Sequence, residues 1–258
     1  MPILERVNNL NGEFTMNFTK YNVSVDKSLS YDAGLRAYML QVFNFMGIAL
    51  MITGVTAYYA SSESFMAIMY SKTASGISLS PIGWVIQLAP LGMVLFLSYK
   101  IQKLSVQNAK IAFWAYSIIM GLALGPIFYS YTGESIARTF FISASVFGSM
   151  SLYGYSTKKD LTAWGSFLMM GLIGVIIASV VNIFLQSSAV SFATSLIGVI
   201  VFTGLTAYDV QKIKSMYAYA TRLNGDDSTK LAIRSALTLY LDFINLFIML
   251  LQFFGNRR

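Results

Sequence analysis

Apolar positions along the chain gather into seven long runs separated by short polar stretches. They lie near 38–60, 81–99, 109–131, 135–156, 161–185, 191–213 and 231–254. Each run is about 20 residues, the length a helix needs to cross ~30 Å of hydrocarbon. The pattern predicts an all-α integral membrane protein with seven transmembrane helices. It divides the chain into a polar tail over 1–33 and one membrane domain over 34–258. Asp32 is placed to cap the first helix and Ser228 the last. The fourth run differs from the rest in its hydroxyls, concentrated in SASVFGSMS.

Composition agrees with the pattern. Hydrophobic residues make up 56% of the chain and charged residues 11%, with a mean hydropathy of +0.62. Soluble domains carry about 25% charged residues. The net charge of +7 is a topology signal. With the N-terminus in the cytoplasm, Arg6, Lys20, Lys27, Arg36, Lys100, Lys103, Lys110, Lys158, Lys159, Lys212, Lys214, Arg222, Lys230 and Arg234 all fall on the inner side. Only Lys72, Arg138, Arg257 and Arg258 are left outside, as the positive-inside rule requires. No clustered basic face offers itself to nucleic acid. The tail has no apolar run of the kind a cleaved leader carries. Its two glycosylation-like triplets, at Asn17 and Asn22, would be cytoplasmic and so out of reach of that machinery.

The chain has no cysteine and no histidine. Disulfides, thiolate and imidazole metal sites, and histidine-based nucleophilic catalysis or pH sensing are therefore excluded. Proton chemistry falls to carboxylates. Small residues supply the means of helix packing in lipid: Gly121 and Gly125 in the third run, Ala144/Gly148 and Ser145/Ser149 in the fourth, Gly174 and Ala178 in the fifth. Glu134 and Arg138, four residues apart, are spaced for a local ion pair.

Two carboxylates stand inside apolar helices. An aspartate at the centre of a span costs about 2.5–3.5 kcal/mol on insertion scales, so it normally faces a partner or a wet cavity. Asp242 shares one helical face with Thr238, Asn245, Met249 and Gln252, a polar stripe that must turn inward. Asp209 has a bland reading, in which Lys212 neutralises it near the membrane boundary. The breaker Asn224-Gly225-Asp226-Asp227 argues further. Counted from that turn and from the Ser228 cap, the two acids sit at matching distances, about 20 Å from the tip of an antiparallel hairpin. Two close carboxylates in a low-dielectric site cannot both ionise cheaply and tend to share a proton. Such a pair serves a proton-sensing gate, a cation site or an acid–base dyad.

GLTAYDVQKIK (204–214), ALTLYLDFINLFIMLLQFFG (236–255) and SLYGYSTKKDLTAWGSFL (151–168) closely resemble the Bax-inhibitor family of small multi-spanning proteins, in register from about residue 35 to 255. The resemblance, to bacterial-type members, implies seven helices with the last at the centre of a six-helix surround. It implies a hydrogen-bonded aspartate pair, matched by Asp209 and Asp242, that senses pH in a calcium leak pathway and holds Ca2+ transiently. Thr238 and Asn245 would support the pair. Better-known bacterial members latch one aspartate with an arginine from the second helix. This chain has Lys100 and Lys103 there, which lack the bidentate fork. The expected function is thus a pH-sensitive calcium leak without cofactor or enzymatic activity, in a bacterial inner membrane. The alternative is a non-transporting regulator that binds a membrane protease or a stress or cell-death factor. An intramembrane aspartyl protease is disfavoured, because Leu239-Tyr240-Leu241 precedes Asp242 where such enzymes carry Gly-x-Gly.

Overall fold

The computed structural model describes residues 33–73 and 76–258. The tail, the Asp32 cap, the Asn17 and Asn22 triplets and the basic residues Arg6, Lys20 and Lys27 lie outside the described residues. Seven long helices follow one another: α1 (Ala33–Ala60), α3 (Pro81–Lys100), α4 (Val106–Ser130), α5 (Gly133–Ser156), α6 (Thr162–Leu185), α7 (Ser188–Ala220) and α8 (Gly225–Phe254). A short helix α2 (Glu63–Met69) and a hairpin of strands β1 (Tyr70–Thr73) and β2 (Gly76–Leu79) fill the connection after α1. The strands pair antiparallel, with Tyr70 opposite Leu79 and Lys72 opposite Ile77. Sequence pattern anticipates neither piece, since SKTASGISLS reads as a polar loop.

Six of the long helices are long and apolar enough to cross a membrane. Among the described residues α5 is the long helix that falls short, because hydroxyls interrupt it. The chain is an all-α membrane protein apart from the small hairpin.

The last helix occupies the centre. In α8, 56% of the most apolar window is buried, against at most 39% in any other candidate span. Its buried residues, among them Ile233, Leu239, Tyr240, Leu246 and Leu251, cover most of its circumference, leaving the side of Arg234, Thr238, Asn245 and Gln252 less covered. Its main neighbours are α1, α4, α5 and α7. The surround has two tiers, since α3 packs chiefly on α4 and α6 on α7.

Lipid tails are as apolar as leucine, so close approach decides where helices join. Gly121 and Gly125 of α4 do this against α1: a Cβ on Gly125 would stand 2.6 Å from the Ala60 carbonyl oxygen. The other small-residue pairs do not pack as expected. A Cβ added to Gly148 or Gly174 would meet nothing within 4 Å, and Ser145 and Ser149 are exposed. The face of α5 that packs is instead Ser135, Thr139, Ser143, Phe147, Ser151 and Gly154. On α6 Gly165 meets the Tyr208 ring and Gly171 the Val201 side chain.

Candidate functional site

The site lies where α7 and α8 run antiparallel. Three contacts fix their register. Ser195 Oγ donates to Gln252 Oε1 at 2.9 Å, Gly198 packs against Met249, and the carboxyls of Asp209 and Asp242 come within hydrogen-bonding reach of one another. Asp242, Met249 and Gln252 of the polar stripe thus meet α7, but Asp242 alone of the stripe is buried and Gln252 is exposed. Asp242 is buried and Asp209 half-buried.

The pair forms although the counting that anticipates it rests on a wrong cap. Asn224 caps α8, its Oδ1 accepting from Asp227 N at 2.8 Å, and NGDD opens the helix instead of interrupting the chain before it. Acidic Asp226 and Asp227 suit that first turn, where the helix dipole is positive. Meanwhile α7 closes at Ala220, so the ends are not flush. The first turns of α8 overhang α7, and Lys230 there reaches the Gln102 carbonyl at 3.1 Å.

Thr238 and Asn245 each donate to their own helix, to the carbonyls of Arg234 and Leu241. They flank Asp242 without bonding to it. Asp242 Oδ2 is buried with no hydrogen-bond partner. Two ionised carboxylates are acceptors only, so a proton on one of them is what lets the pair hydrogen-bond.

No lysine of α3 reaches this pair. Lys100 and Lys103 are exposed, with their ammonium groups 5.5 and 5.3 Å from the Tyr99 ring centroid. The cation that acts on Asp209 is Lys212, whose ammonium stands 5.6 Å over the Tyr208 ring. Nor do Glu134 and Arg138 form their ion pair: Arg138 turns to the Phe254 carbonyl at 3.5 Å. Among the described residues the salt bridge that does form is Lys230–Asp227, at 2.6 Å.

Sequence reasoning missed two supports. The first is a clamp on the α5–α6 loop. Gln211, half a turn beyond Asp209, accepts from Leu161 N at 2.9 Å and donates to the Lys159 carbonyl at 2.7 Å. Lys214 donates to the Tyr155 carbonyl at 2.7 Å. Together they hold the loop against α7. In that loop Asp160 accepts from the hydroxyl and the backbone N–H of Thr162, which hold its carboxyl below the usual carboxylate range. The second support is a phenol on the far side of α8. Tyr240 OH lies 2.7 Å from Thr53 Oγ1, which donates to the Ser117 carbonyl at 2.9 Å. A tyrosine two positions from an inward aspartate is the signal for it, because a buried phenol needs a partner.

Comparison with known proteins agrees with this picture. The sequence model of a family described as "Inhibitor of apoptosis-promoting Bax1" matches residues 35–258. The chain is 51% identical to protein RP147 of Rickettsia prowazekii over 244 residues, 94% of this chain and 99% of the relative. It is 48% identical to the inner membrane protein YbhL of Escherichia coli K12 over 226 residues, 88% of this chain and 94% of the relative. A Caulobacter vibrioides protein is 42% identical over 237 residues, covering 89% and 92% of the two chains.

Proposed function

The chain belongs to the Bax inhibitor family, and from that premise we propose that it is a pH-sensitive cation leak, with calcium as the permeant ion and Asp209 and Asp242 as its gate. The observation that supports this reading is the meeting of two carboxyls on adjacent helices inside a lipid-embedded bundle. A shared proton ties α7 to α8. A change in the number of protons exchanges that tie for like-charge repulsion, or for two neutral groups, and so alters how closely the helices meet.

Calcium takes six to eight oxygen ligands. Two carboxylates offer four oxygens, and among the described residues no group of three or more acidic, histidine or cysteine residues stands ready to hold a metal. With four carboxylate oxygens, the pair would hold a calcium ion that keeps part of its water shell. Calcium is cargo here.

All seven long helices span the bilayer in this reading. In α5 the hydroxyls of Ser135, Thr139, Ser143 and Ser151 point to neighbouring helices, and those of Ser145, Ser149 and Ser156 bond to carbonyls of their own helix. The basic residues place the N-terminus in the cytoplasm, and the inner membrane named for the E. coli relative is the proposed location.

Calcium flux into liposomes carrying the purified protein, followed across a pH series, tests the proposal. Flux should vary with pH in the wild type and lose that dependence in Asp209→Asn and Asp242→Asn. Identical profiles in all three proteins would remove the pair from any gating role. Cross-linked protein partners that persist without both aspartates would point to the regulator instead.

A further inference from the structure

Helix α5 treats its hydroxyls in two ways. Ser143, Ser145, Ser149 and Ser156 each donate to the carbonyl four residues back, at 2.7–2.8 Å, the usual way a hydroxyl satisfies itself within a helix. Thr139 and Ser151 do not. Their exposures are 0% and 6%, and neither hydroxyl oxygen has a partner. With Asp242 Oδ2 they account for three of the four buried side-chain polar atoms that lack one among the described residues.

All three lie on one seam. The buried face of α5 packs against α7 and α8. Along it Ser135 Oγ accepts from Asn256 N, just past the end of α8, at 2.9 Å. The Phe147 ring lies 5.5 Å, edge to face, from that of Phe243, the neighbour of Asp242. Gly154 rests on the backbone of Ala207, two residues from Asp209. Along α5, Asp242 therefore lies toward the Phe147 end and Asp209 toward the Gly154 end, with Ser151 between those two contacts. Reading from the end at which α8 finishes, the buried face of α5 runs Ser135, Thr139, Ser143, Phe147 and Ser151, and the Phe243 ring meets both Phe140 and Phe147 edge to face.

We infer that this face of α5 lines a water-accessible route from the C-terminal end of α8 to the aspartate pair, with Phe147 and Phe243 as its apolar constriction and Thr139, Ser143 and Ser151 as its polar lining. It rests on the proposed leak in one respect only, that hydrated cations are what travel it. The route accounts for the hydroxyls on the buried face of α5, whereas the exposed Ser145, Ser149 and Ser156 satisfy themselves on carbonyls of their own helix.

The chain has no cysteine of its own, so single cysteines report directly. Thr139→Cys, Ser143→Cys, Ser151→Cys and, as the lipid-facing control, Ser145→Cys are reconstituted in vesicles and treated with a positively charged, membrane-impermeant methanethiosulfonate. Thr139→Cys and Ser143→Cys should react at least tenfold faster than Ser145→Cys, from the face that carries the C-terminus. Ser151→Cys, beyond the constriction, should react slowly and speed up when Phe147→Ala is added. Serine to cysteine is nearly isosteric, and Ser143→Cys alone suffices for the comparison should Thr139→Cys not fold. Rates at positions 139 and 143 no faster than at 145 would overturn the route. Absent labelling beside an intact pH-dependent calcium flux removes the route and spares the leak. The labelling pattern without any flux keeps the route as the pair's access to water and removes the leak.

Discussion

Tyr240 and Asp242 are two residues apart on one buried helix and face opposite ways. Tyr240 looks toward α1 and α4, where its hydroxyl meets Thr53 at 2.7 Å and its ring takes Phe113 and Tyr116 edge to face, with centroids 6.0 and 5.7 Å away. The Tyr240, Thr53 and Ser117 hydroxyls are matched, and Gly121 and Gly125 bring the α1 and α4 backbones into contact. Asp242 looks toward α7, where it finds another acid and keeps an oxygen unpartnered. The α1–α4 side is satisfied at any ordinary pH, because a phenol and two hydroxyls do not change charge there. In the proposed leak the α7 side depends on a proton, and one helix joins a fixed half of the bundle to a half whose packing answers to protonation.

The contrast can be broken first by steric means. At Gly125 an added methyl meets the Ala60 backbone, which cannot yield, whereas at Gly198 on the α7 side it meets the Met249 side chain at 2.8 Å, which can. Gly125→Ala should lose about 1–3 kcal/mol, the usual cost of overpacking, seen as a lowered melting temperature in detergent. Removing one hydroxyl comes next. Tyr240→Phe should cost about 1 kcal/mol, with Thr53 still bonded to the Ser117 carbonyl, and should leave any pH dependence of flux untouched. Gly198→Ala should change stability by less than about 0.5 kcal/mol, which the same melts would register. A drop as large as that for Gly125→Ala would show the α7 side to be equally rigid.

The smallest effect belongs to the α5–α6 loop. Hydrogen bonds from Thr162 lower the Asp160 carboxyl below its ordinary range, so its contribution is complete above that range and is lost as pH falls through it. Asp160→Ala should melt slightly below wild type at neutral pH, and the gap should close on acidification. Asp160→Asn, which keeps an acceptor oxygen, should lie between.

Much of this organisation is legible in the residues themselves. Long apolar runs announce the helices because lipid demands them, and a mid-span aspartate announces a partner. The boundaries are less legible, because α7 and α8 run past their apolar stretches into 33 and 30 residues of helix through segments such as KIKSMYAYA and GDDSTK that any helix accepts. The Asn224 cap is hidden for a related reason: Asn-Gly-Asp-Asp serves a turn and a helix start equally well. The hairpin after α1 has exposed strand residues and so no alternation to read. That Asp242 meets Asp209 follows from the shared polar face. That Lys100 and Lys103 turn away to Tyr99, and that Gln211 clamps a loop beside the pair, are facts of tertiary packing with no periodic trace.

In the proposed leak, protonation acts on the α7 side of α8 and not on the α1–α4 side. Calcium flux should be measured in liposomes at two pH values for wild type, the double variant Asp209→Asn with Asp242→Asn, and Tyr240→Phe. The account predicts that wild type and Tyr240→Phe change flux with pH by the same factor while the double variant does not change. A double variant that keeps the wild-type pH response would contradict it.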